Sequence, residues 1–281
     1  MITVKIMGGL GNQMFQYALA RKLQSTGKKV RLDISYYDTI PNGDTSRKNW
    51  TKNFQHSFKE IHNTNSLKEK GRKLFAKIRG KRYTIVETNP NFSPLILNID
   101  MGYLIGYWQT EKYFKDISKV IKKDFTFDIE SLSEQEKEIL KKIKKEEMPV
   151  ALHIRRGDYL SSENQKRFGN ICTAEYYEKS ITYMMERVKN CKFYIFTDDP
   201  KEVKNILPDN IPYEIISDGR NNEWFELFLM SQCKHNIIAN SSFSWWGAWL
   251  NENNDKIIVA PRYWTNQNDC YDIYCEGWIR I

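Results

Sequence analysis

The residues with the clearest chemical potential lie in segment 150–159, where an apolar run of strand length ends directly in cations, a glycine and a carboxylate. In open α/β sheets, ligands bind beyond the carboxyl ends of the strands. We therefore expect His153, Arg155, Arg156 and Asp158 to line a cleft at such a strand end. Successive side chains of an extended chain point in opposite directions, so at most one of the two arginines faces a ligand. Its planar guanidinium would suit a phosphate group.

Two adjacent carboxylates follow a second strand pattern. Asp198 and Asp199 come directly after the apolar run 192–196. Paired acids of this kind can bind a metal ion, hold a pair of ribose hydroxyls, or accept hydrogen bonds from the N1–H and 2-amino groups of guanine. Alternatively, one of the two caps the helix that is predicted to follow. The pattern leaves these roles open.

A third strand end carries amide and hydroxyl side chains. The predicted strand 236–239 runs into Asn240, Ser241, Ser242 and Phe243, and a helix is predicted to begin near Ser241. N–H groups at a helix start, helped by serine hydroxyls, can hold a phosphate. The tryptophans that follow are more typical of core packing than of a sugar-binding platform. They are Trp245, Trp246 and Trp249.

A glycine-rich loop interrupts the chain near its start. Residues 2–7 predict a buried strand, and an apolar repeat of helical period predicts a helix after the loop. Between them lie Gly8, Gly9 and Gly11, followed by Asn12. This spacing does not match the dinucleotide-binding pattern GxGxxG. The loop is therefore interpreted either as a tight turn or as a ligand-binding turn at a helix N-terminus.

The composition is that of a folded, basic protein. The 281 residues are 41% hydrophobic and 14% aromatic, and the net charge is +8. This charge favours anionic partners, such as nucleotide phosphates, nucleic acid or an anionic membrane surface. The five cysteines include no CxxC pair, which favours reduced thiols over a zinc site or a disulfide framework. No signal peptide or membrane-spanning apolar run is recognised, so we expect a soluble intracellular protein.

Several enzyme classes are excluded by their missing motifs. The sequence contains no HExxH, no GxSxG and no GxxxxGK[ST] pattern. These patterns are typical of zinc hydrolases, serine hydrolases and P-loop proteins, respectively. The chemistry therefore has to come from the three strand ends and the glycine loop.

The order of predicted elements indicates two α/β domains. A highly charged helix with a capping box at Ser133 ends before Pro149, and we place the boundary there, giving domains 1–147 and 148–281. In the second domain strands alternate with helices, which predicts a parallel, doubly wound sheet. The strands are predicted at 150–155, 192–196, 213–217, 236–239 and 256–260.

Three segments of the first domain receive separate predictions. Residues 38–65 are polar and irregular, as is typical of binding loops. A helix is predicted from residue 108 to about 123. Residues 66–80 predict an amphipathic helix, which can lie on an anionic membrane or a nucleic acid, although a basic helix face is more often simply solvated. Its apolar face holds Leu67, Leu74, Phe75 and Ile78.

Five motifs, in this order along the chain, resemble those of the bacterial α-1,2-fucosyltransferases of glycosyltransferase family 11. They are GGLGNQMFQYA (8–18), GYWQ (106–109), HIRRGDY (153–159), FTDD (196–199) and NSSFSWWG (240–247). The resemblance implies a GT-B fold, with two Rossmann-like domains and a deep cleft between them. The first domain would be on the acceptor side, and the second would bind GDP-fucose.

The resemblance also implies a reaction. The enzyme would move L-fucose from GDP-β-L-fucose, with inversion, to the 2-hydroxyl of a terminal β-galactose on a glycan or lipid-linked glycan. No metal and no other cofactor is implied, and no nucleic acid. The implied location is the cytoplasm, where the enzyme could associate peripherally with the inner face of the membrane. A transferase of another linkage and a non-catalytic nucleotide- or glycan-binding module remain the alternatives.

Individual roles follow from the same resemblance. Arg155 matches the arginine that grips the donor diphosphate, and His153 matches a donor contact. Asp198 and Asp199 match a pair of acids of which one binds the guanine in the relatives. The segment from Asn240 through Ser241 and Ser242 to Phe243 matches the donor-binding residues at the phosphates.

Three further assignments complete the predicted site. The loop with Gly8, Gly9, Gly11 and Asn12 matches one that faces the cleft. The resemblance implies that the second arginine, Arg156, is more often structural. The acceptor hydroxyl needs a base, for which Asp158 and Glu163 are the candidates.

Overall fold

The structure is a computed structural model and describes seven stretches of the chain. These are residues 1–38, 48–62, 67–80, 82–156, 162–217, 222–267 and 269–281, with the backbone alone described at 67–69 and 162–164. Several predictions lie outside these stretches, among them much of the loop 38–65 and residues 157–159.

The chain divides into two compact units. The first comprises Met1–Thr126 with Tyr271–Tyr274, and the second comprises Phe127–Cys270 with Cys275–Ile281. The predicted boundary at 147/148 is therefore wrong, because residues from Phe127 onward pack with the second unit. Proline and charge at 146–149 mark the end of a helix, and the helix itself belongs to the core that follows it.

The first unit is built on a five-stranded parallel sheet. Its strand order is β3-β2-β1-β5-β4, so β1 lies at the centre. The strands are β1 (Ile2–Lys5), β2 (Val30–Asp33), β3 (Lys59–Ile61), β4 (Thr84–Val86) and β5 (Gly102–Ile105), and the helices are α1 (Leu10–Ser25), α2 (Leu67–Ile78) and α3 (Ser118–Asp124). The predicted first strand and the helix after the glycine loop are confirmed.

The predicted helix at 108–123 is wrong over its first half. Two 3-10 turns, Glu111–Tyr113 and Lys115–Ile117, precede α3. Trp108 has φ +57°, a left-handed conformation that cannot belong to a right-handed helix. The chain after β5 therefore makes a tight turn first.

The second unit is built on a six-stranded sheet in which every pairing is parallel. The order is β11-β10-β9-β6-β7-β8. The strands are β6 (Met148–Ile154), β7 (Cys191–Thr197), β8 (Tyr213–Ile215), β9 (His235–Ile237), β10 (Ile258–Ala260) and β11 (Ile279–Arg280). The helices are α4 (Glu134–Lys145), α5 (Ser162–Phe168), α6 (Ala174–Arg187), α7 (Val203–Ile206), α8 (Glu223–Gln232) and α9 (Ser242–Leu250).

Both faces of this second sheet are covered by helices. Val150, Leu152 and Ile154 of β6 pack into a cluster with residues of α6. On the other face, Ala151 of β6 joins a cluster with α4 and α8. Because alternate residues of one strand serve opposite faces, β6 reads as a continuous apolar run. The predicted parallel, doubly wound sheet is confirmed.

Two local predictions about helices in this unit are also confirmed. The Ser133 hydroxyl and the Glu136 carboxylate form the reciprocal capping box of α4. The three tryptophans of α9 are buried. Helix α9 packs closely on α8 at Gly247, where an added Cβ would lie 2.8 Å from Cβ of Met230. This contact holds α9 against α8.

Candidate active site

Arg155 and Asp198 face each other at the carboxyl edge of the second sheet. They follow the paired ends of neighbouring strands, where Ile154 is in register with Thr197. Nη1 of Arg155 lies 2.8 Å from Oδ2 of Asp198, and the two side chains are 21% and 24% exposed. Oδ1 of Asp198 accepts a hydrogen bond from the N–H of Arg156 at 2.9 Å. A partly solvated guanidinium is thus held in place where a ligand could reach it.

His153 lies on the same side of β6 as Arg155, one pleat deeper. It is buried, and its ring centroid is 5.4 Å from that of Phe243 at the start of α9. Burial lowers the pKa of His153 to about 3, helped by the charge of Arg155 and opposed by Asp198. Among the described residues, its Nδ1 has no hydrogen-bond partner. The imidazole is therefore neutral at physiological pH.

Arg156 points to the opposite face, as predicted from strand alternation. Its Nε lies 3.9 Å from Oδ2 of Asp199, and its Nη2 lies 3.7 Å from Oε2 of Glu202. Asp199 occupies the N-cap position of the 3-10 helix Pro200–Glu202, but its side chain makes no capping hydrogen bond. The interpretation of one acid as a side-chain cap is therefore wrong, because both carboxylates turn toward arginines instead.

The segment that follows β9 contains Asn240, which is bound to neighbouring backbone, and then the first residues of α9. Nδ2 of Asn240 donates to the carbonyl oxygens of Phe168 and Trp264, at 3.1 and 3.2 Å. Ser241 is the N-cap of α9, and its side chain makes no capping hydrogen bond. The first N–H groups of any α-helix have no partner within the helix. Asn240 thus fixes the loop, and the α9 N-terminus is directed to the sheet edge.

A pocket of about 270 Å³ lies beside both arginines. Its lining includes Ile154 from β6, Cys172, Tyr177 from α6 and Asn240. Burial raises the pKa of the Cys172 thiol to about 12, so it stays protonated and is a poor nucleophile. The pocket is a recess next to the charged edge, and it has no reactive centre of its own among the described lining residues.

In the first unit, the glycine loop requires a left-handed backbone conformation at Gly8. Gly8 has φ +80°, and a Cβ there would lie 2.8 Å from Nδ2 of Asn12. Gly9 is the N-cap of α1, whereas Gly11 lies inside that helix rather than in the loop. The carbonyl of Gly8 accepts hydrogen bonds from Nε2 of Gln13 and from the hydroxyl of Tyr37.

Two buried glutamines hold this loop, and neither was among the predicted site residues. Oε1 of Gln16 accepts from the N–H of Met7 at 2.9 Å, and its Nε2 donates to the carbonyl of Gly106 at 3.0 Å. Gln13 bonds the backbone of Lys48 and Trp50 in the same manner. A pair of glutamines three residues apart among the apolar residues of the buried side of α1 is the signal that could have found them.

The turn at 106–109 is held by a residue that sequence reasoning missed entirely. The carboxylate of Glu87 accepts from the N–H of Tyr107 at 2.7 Å and from that of Trp108 at 2.9 Å. A Cβ at Gly106 would lie 2.4 Å from Cβ of Glu87. Nε2 of Gln109 then donates to Oδ1 of Asn12 at 2.7 Å, which joins the turn to the glycine loop.

This turn contains a strained residue. A bulky side chain with positive φ, such as Trp108, is uncommon and persists where its surroundings hold it firmly. Trp108 is buried, and its indole Nε1 has no hydrogen-bond partner among the described residues. Tyr107 and Gln109 on either side are half-exposed. The turn thus buries Trp108 and presents a phenol and an amide, both of which can donate and accept hydrogen bonds.

Two predicted catalytic residues cannot be located. Asp158 and the side chain of Glu163 lie outside the described residues, together with Gly157 and Tyr159 of the same motif. In the stretches of chain that the structure describes, no group of three His, Cys, Asp or Glu side chains could hold a metal ion. The identity of the base and independence of metal stay predictions.

Comparison with known proteins assigns the family. The model of glycosyl transferase family 11 matches residues 1–281. The chain belongs to glycosyltransferase family 11. The resemblance read from the five motifs is therefore confirmed.

Among similar proteins, two have names that specify different sugars. The O-antigen biosynthesis glycosyltransferase WbnK of Escherichia coli is 32% identical, covering 98% of this chain and 99% of its own length. An alpha-1,2-colitosyltransferase of Escherichia coli is 33% identical, covering 100% and 98%. The galactoside alpha-(1,2)-fucosyltransferase 1 of Saimiri sciureus is 23% identical, covering 52% and 42%.

One solved structure that this chain resembles in its backbone is that of NodZ alpha-1,6-fucosyltransferase soaked with GDP-fucose. It is 12% identical, covers 89% of this chain and 91% of that chain, and gives a TM-score of 0.46. A score below 0.5 does not establish a shared fold. The α/β architecture of this family 11 member therefore rests on its own two parallel sheets.

Proposed function

We propose that this enzyme transfers L-fucose from GDP-β-L-fucose to the 2-hydroxyl of a terminal β-galactose, with inversion at the anomeric carbon. The observation that carries the proposal is the half-buried guanidinium of Arg155, fixed by Asp198 at the carboxyl edge of a parallel sheet. Family membership supports the reaction type. The fucosyl and α-1,2 specificities are supported by the named relatives.

The donor side is proposed to work by stabilising charge. As the bond to the diphosphate breaks, negative charge builds on the leaving oxygen. Arg155 and the N–H groups at the start of α9 are the donors of the second unit that would meet this charge. Removing one such donor typically costs about 3 kcal/mol of transition-state stabilisation. We propose that these groups supply the positive charge, so that the reaction needs no divalent metal.

The base that activates the acceptor hydroxyl is proposed to be Asp158 or Glu163. His153 is unsuited to this role. Its depressed pKa makes the imidazole a weak base, and burial keeps it away from an acceptor hydroxyl.

The acceptor is proposed to bind at the turn 106–109 and the adjoining glycine loop. Tyr107, Gln109 and Asn12 provide a half-exposed ring and two amides in one place. Rings and amides are complementary to the faces and hydroxyls of a sugar. The acceptor would be a galactose-terminated glycan, free or lipid-linked, offered in the cytoplasm.

Colitosyl transfer is a second candidate. The alpha-1,2-colitosyltransferase matches the whole of this chain at 33% identity, whereas the fucosyltransferase matches about half of it. The linkage would be the same, and only the sugar on the nucleotide would differ. Competition between GDP-fucose and GDP-linked colitose in one reaction distinguishes the two donors.

The test of the proposal is GDP release from GDP-fucose in the presence of EDTA. We would compare lactose, N-acetyllactosamine and no acceptor, using wild type and Arg155→Ala. Arg187→Ala removes an exposed arginine on α6 and serves as the matched control. We expect acceptor-dependent release that survives EDTA, falls at least about 100-fold in Arg155→Ala and is unchanged in the control.

Three results would contradict parts of this proposal. Tight GDP binding without release on any galactoside would favour a non-catalytic binding module. Activity restored only by a divalent metal would overturn the metal-independent mechanism. A product linked elsewhere than the 2-hydroxyl, seen by NMR, would assign another linkage.

A further inference from the structure

Helix α2 turns its apolar residues toward solvent. Leu74, Phe75 and Ile78 are 60%, 46% and 74% exposed, whereas Ala76 is 2% exposed. On a helix, residues 74, 75 and 78 share one side, and residue 76 lies nearly opposite. The helix therefore rests on the first unit through the side of Ala76 and presents its apolar side outward.

Basic residues border this outward apolar side. At 100° per residue, Lys70, Lys73 and Lys77 line one border, and Arg79, just past the helix, lies along the other. All four are exposed. The guanidinium of Arg79 is 4.4 Å from the centre of the Phe75 ring. An apolar strip between cations matches the boundary between acyl chains and negatively charged headgroups in a bilayer.

Helix α4 shows what a charged amphipathic helix does elsewhere in this chain. It carries lysines on its solvent side, yet its apolar residues Leu140 and Ile143 are buried in the core of the second unit. Helix α2 has the same type of pattern with the apolar residues left uncovered. Contiguous exposed apolar groups with a polar border typically mark an interaction surface.

We propose that α2 docks the protein on an anionic lipid surface, with the helix lying in the plane of the interface. Its twelve residues span about 18 Å, which suits a helix lying on a bilayer. None of the described helices is long and apolar enough to cross a membrane. A second copy is a poorer occupant, because pairing two α2 helices would bring like charges together. The proposal is independent of the sugar that the enzyme transfers.

The test is co-sedimentation of the full chain with vesicles. Pure phosphatidylcholine vesicles are compared with vesicles containing about one third phosphatidylglycerol. We expect binding to the anionic vesicles only, weakened by salt, as for other basic surface helices. Leu74→Asn/Ile78→Asn removes the apolar contact, and Lys70→Glu/Lys73→Glu/Lys77→Glu reverses the charge. Each is expected to lower the partition coefficient at least about 10-fold.

A matched control separates the helix from overall charge. Lys141→Glu/Lys144→Glu/Lys145→Glu on α4 makes the same change in net charge at another exposed lysine cluster. We expect this variant to bind nearly as wild type. All variants should keep the wild-type circular dichroism spectrum and release GDP with soluble acceptor within about twofold, since neither α2 nor α4 carries any of the proposed site residues.

Three results would overturn the proposal. Equal loss of binding in the α4 control would show a response to net charge alone. Binding to neither kind of vesicle would remove the lipid surface as the partner, and equal binding to neutral and anionic vesicles would show that negative charge is not what α2 recognises. A dimer by light scattering that Leu74→Asn/Ile78→Asn converts to a monomer would assign the surface to a second copy.

Discussion

The two sheet edges of this enzyme hold their polar side chains in different ways. In the first unit, the Glu87 carboxylate and the Gln16 amide are bound to backbone groups of the turn 106–109. In the second unit, Arg155 and Asp198 bind each other and remain partly exposed. A carboxylate on backbone N–H groups fixes a shape, whereas a partly exposed ion pair can exchange one partner for a ligand. We infer that the first edge positions a substrate and the second responds to charge.

The largest effect is expected from Arg155→Lys. Lysine keeps the charge but loses the planar fork that can bind Asp198 and a phosphate together. If the second edge acts on the diphosphate, kcat/KM should fall about 100-fold without loss of thermal stability. GDP release under saturating acceptor, with a thermal melt as control, measures both. Activity near that of wild type would show that charge alone suffices there.

A second prediction concerns His153, which lies under the ion pair. Its pKa is about 3 in the folded protein and near 6.5 when unfolded. The unfolded chain therefore binds a proton first as pH falls, and stability is lost from about pH 6.5 downward. His153→Phe keeps a ring against Phe243 but removes the titration. It should abolish about 2 kcal/mol of the stability loss between pH 7 and pH 5.

Urea unfolding of wild type and His153→Phe at pH 7 and pH 5 measures this difference. His235 is a second buried histidine with a lowered pKa, and its contribution is present in both proteins. An identical pH dependence in the two proteins would show that His153 is not held neutral by the fold.

A smaller effect is expected from Glu87→Gln in the first unit. The N–H of Tyr107 binds Oε2 of Glu87 and that of Trp108 binds Oε1. In glutamine one of these oxygens becomes an NH2 donor, so one of the two N–H groups loses its acceptor. The turn should loosen, and the KM for the galactoside should rise about 10-fold, an effect of about 1.4 kcal/mol. The KM for GDP-fucose should stay within twofold. Glu134→Gln, at an exposed glutamate of α4, is the matched control.

A rise in both KM values, or in neither, would contradict a positioning role confined to the acceptor. Loss of thermal stability without a change in either KM would show that Glu87 serves the fold alone. Gln109→Ala provides a second variant, because it removes the link to Asn12 without touching the Glu87 hydrogen bonds.

The carboxyl edge of the second sheet could be predicted from sequence, because its geometry follows from the alternation of side chains along each strand. Parallel neighbours β6 and β7 end together, so Arg155 and Asp198 had to meet once both strands were recognised. The opposite directions of Arg155 and Arg156 follow from the same alternation. The apolar runs before these residues are long enough to make the strands unambiguous.

The first edge could not be predicted in this way. Glu87 follows the short outer strand β4, about twenty residues before the turn that it holds, and no local pattern links the two. The left-handed Trp108 and two 3-10 turns precede α3, so the predicted helix began about ten residues too early. The domain boundary was misplaced because α4 packs forward onto α8, a tertiary contact that charge and proline do not reveal.

The most direct test of this division of roles is calorimetric titration of GDP into wild type, Arg155→Ala and Glu87→Gln. We predict that Arg155→Ala weakens GDP binding at least about 10-fold, whereas Glu87→Gln leaves it within twofold of wild type. Equal weakening by both variants, or weakening by Glu87→Gln alone, would contradict the assignment of the nucleotide to the second edge.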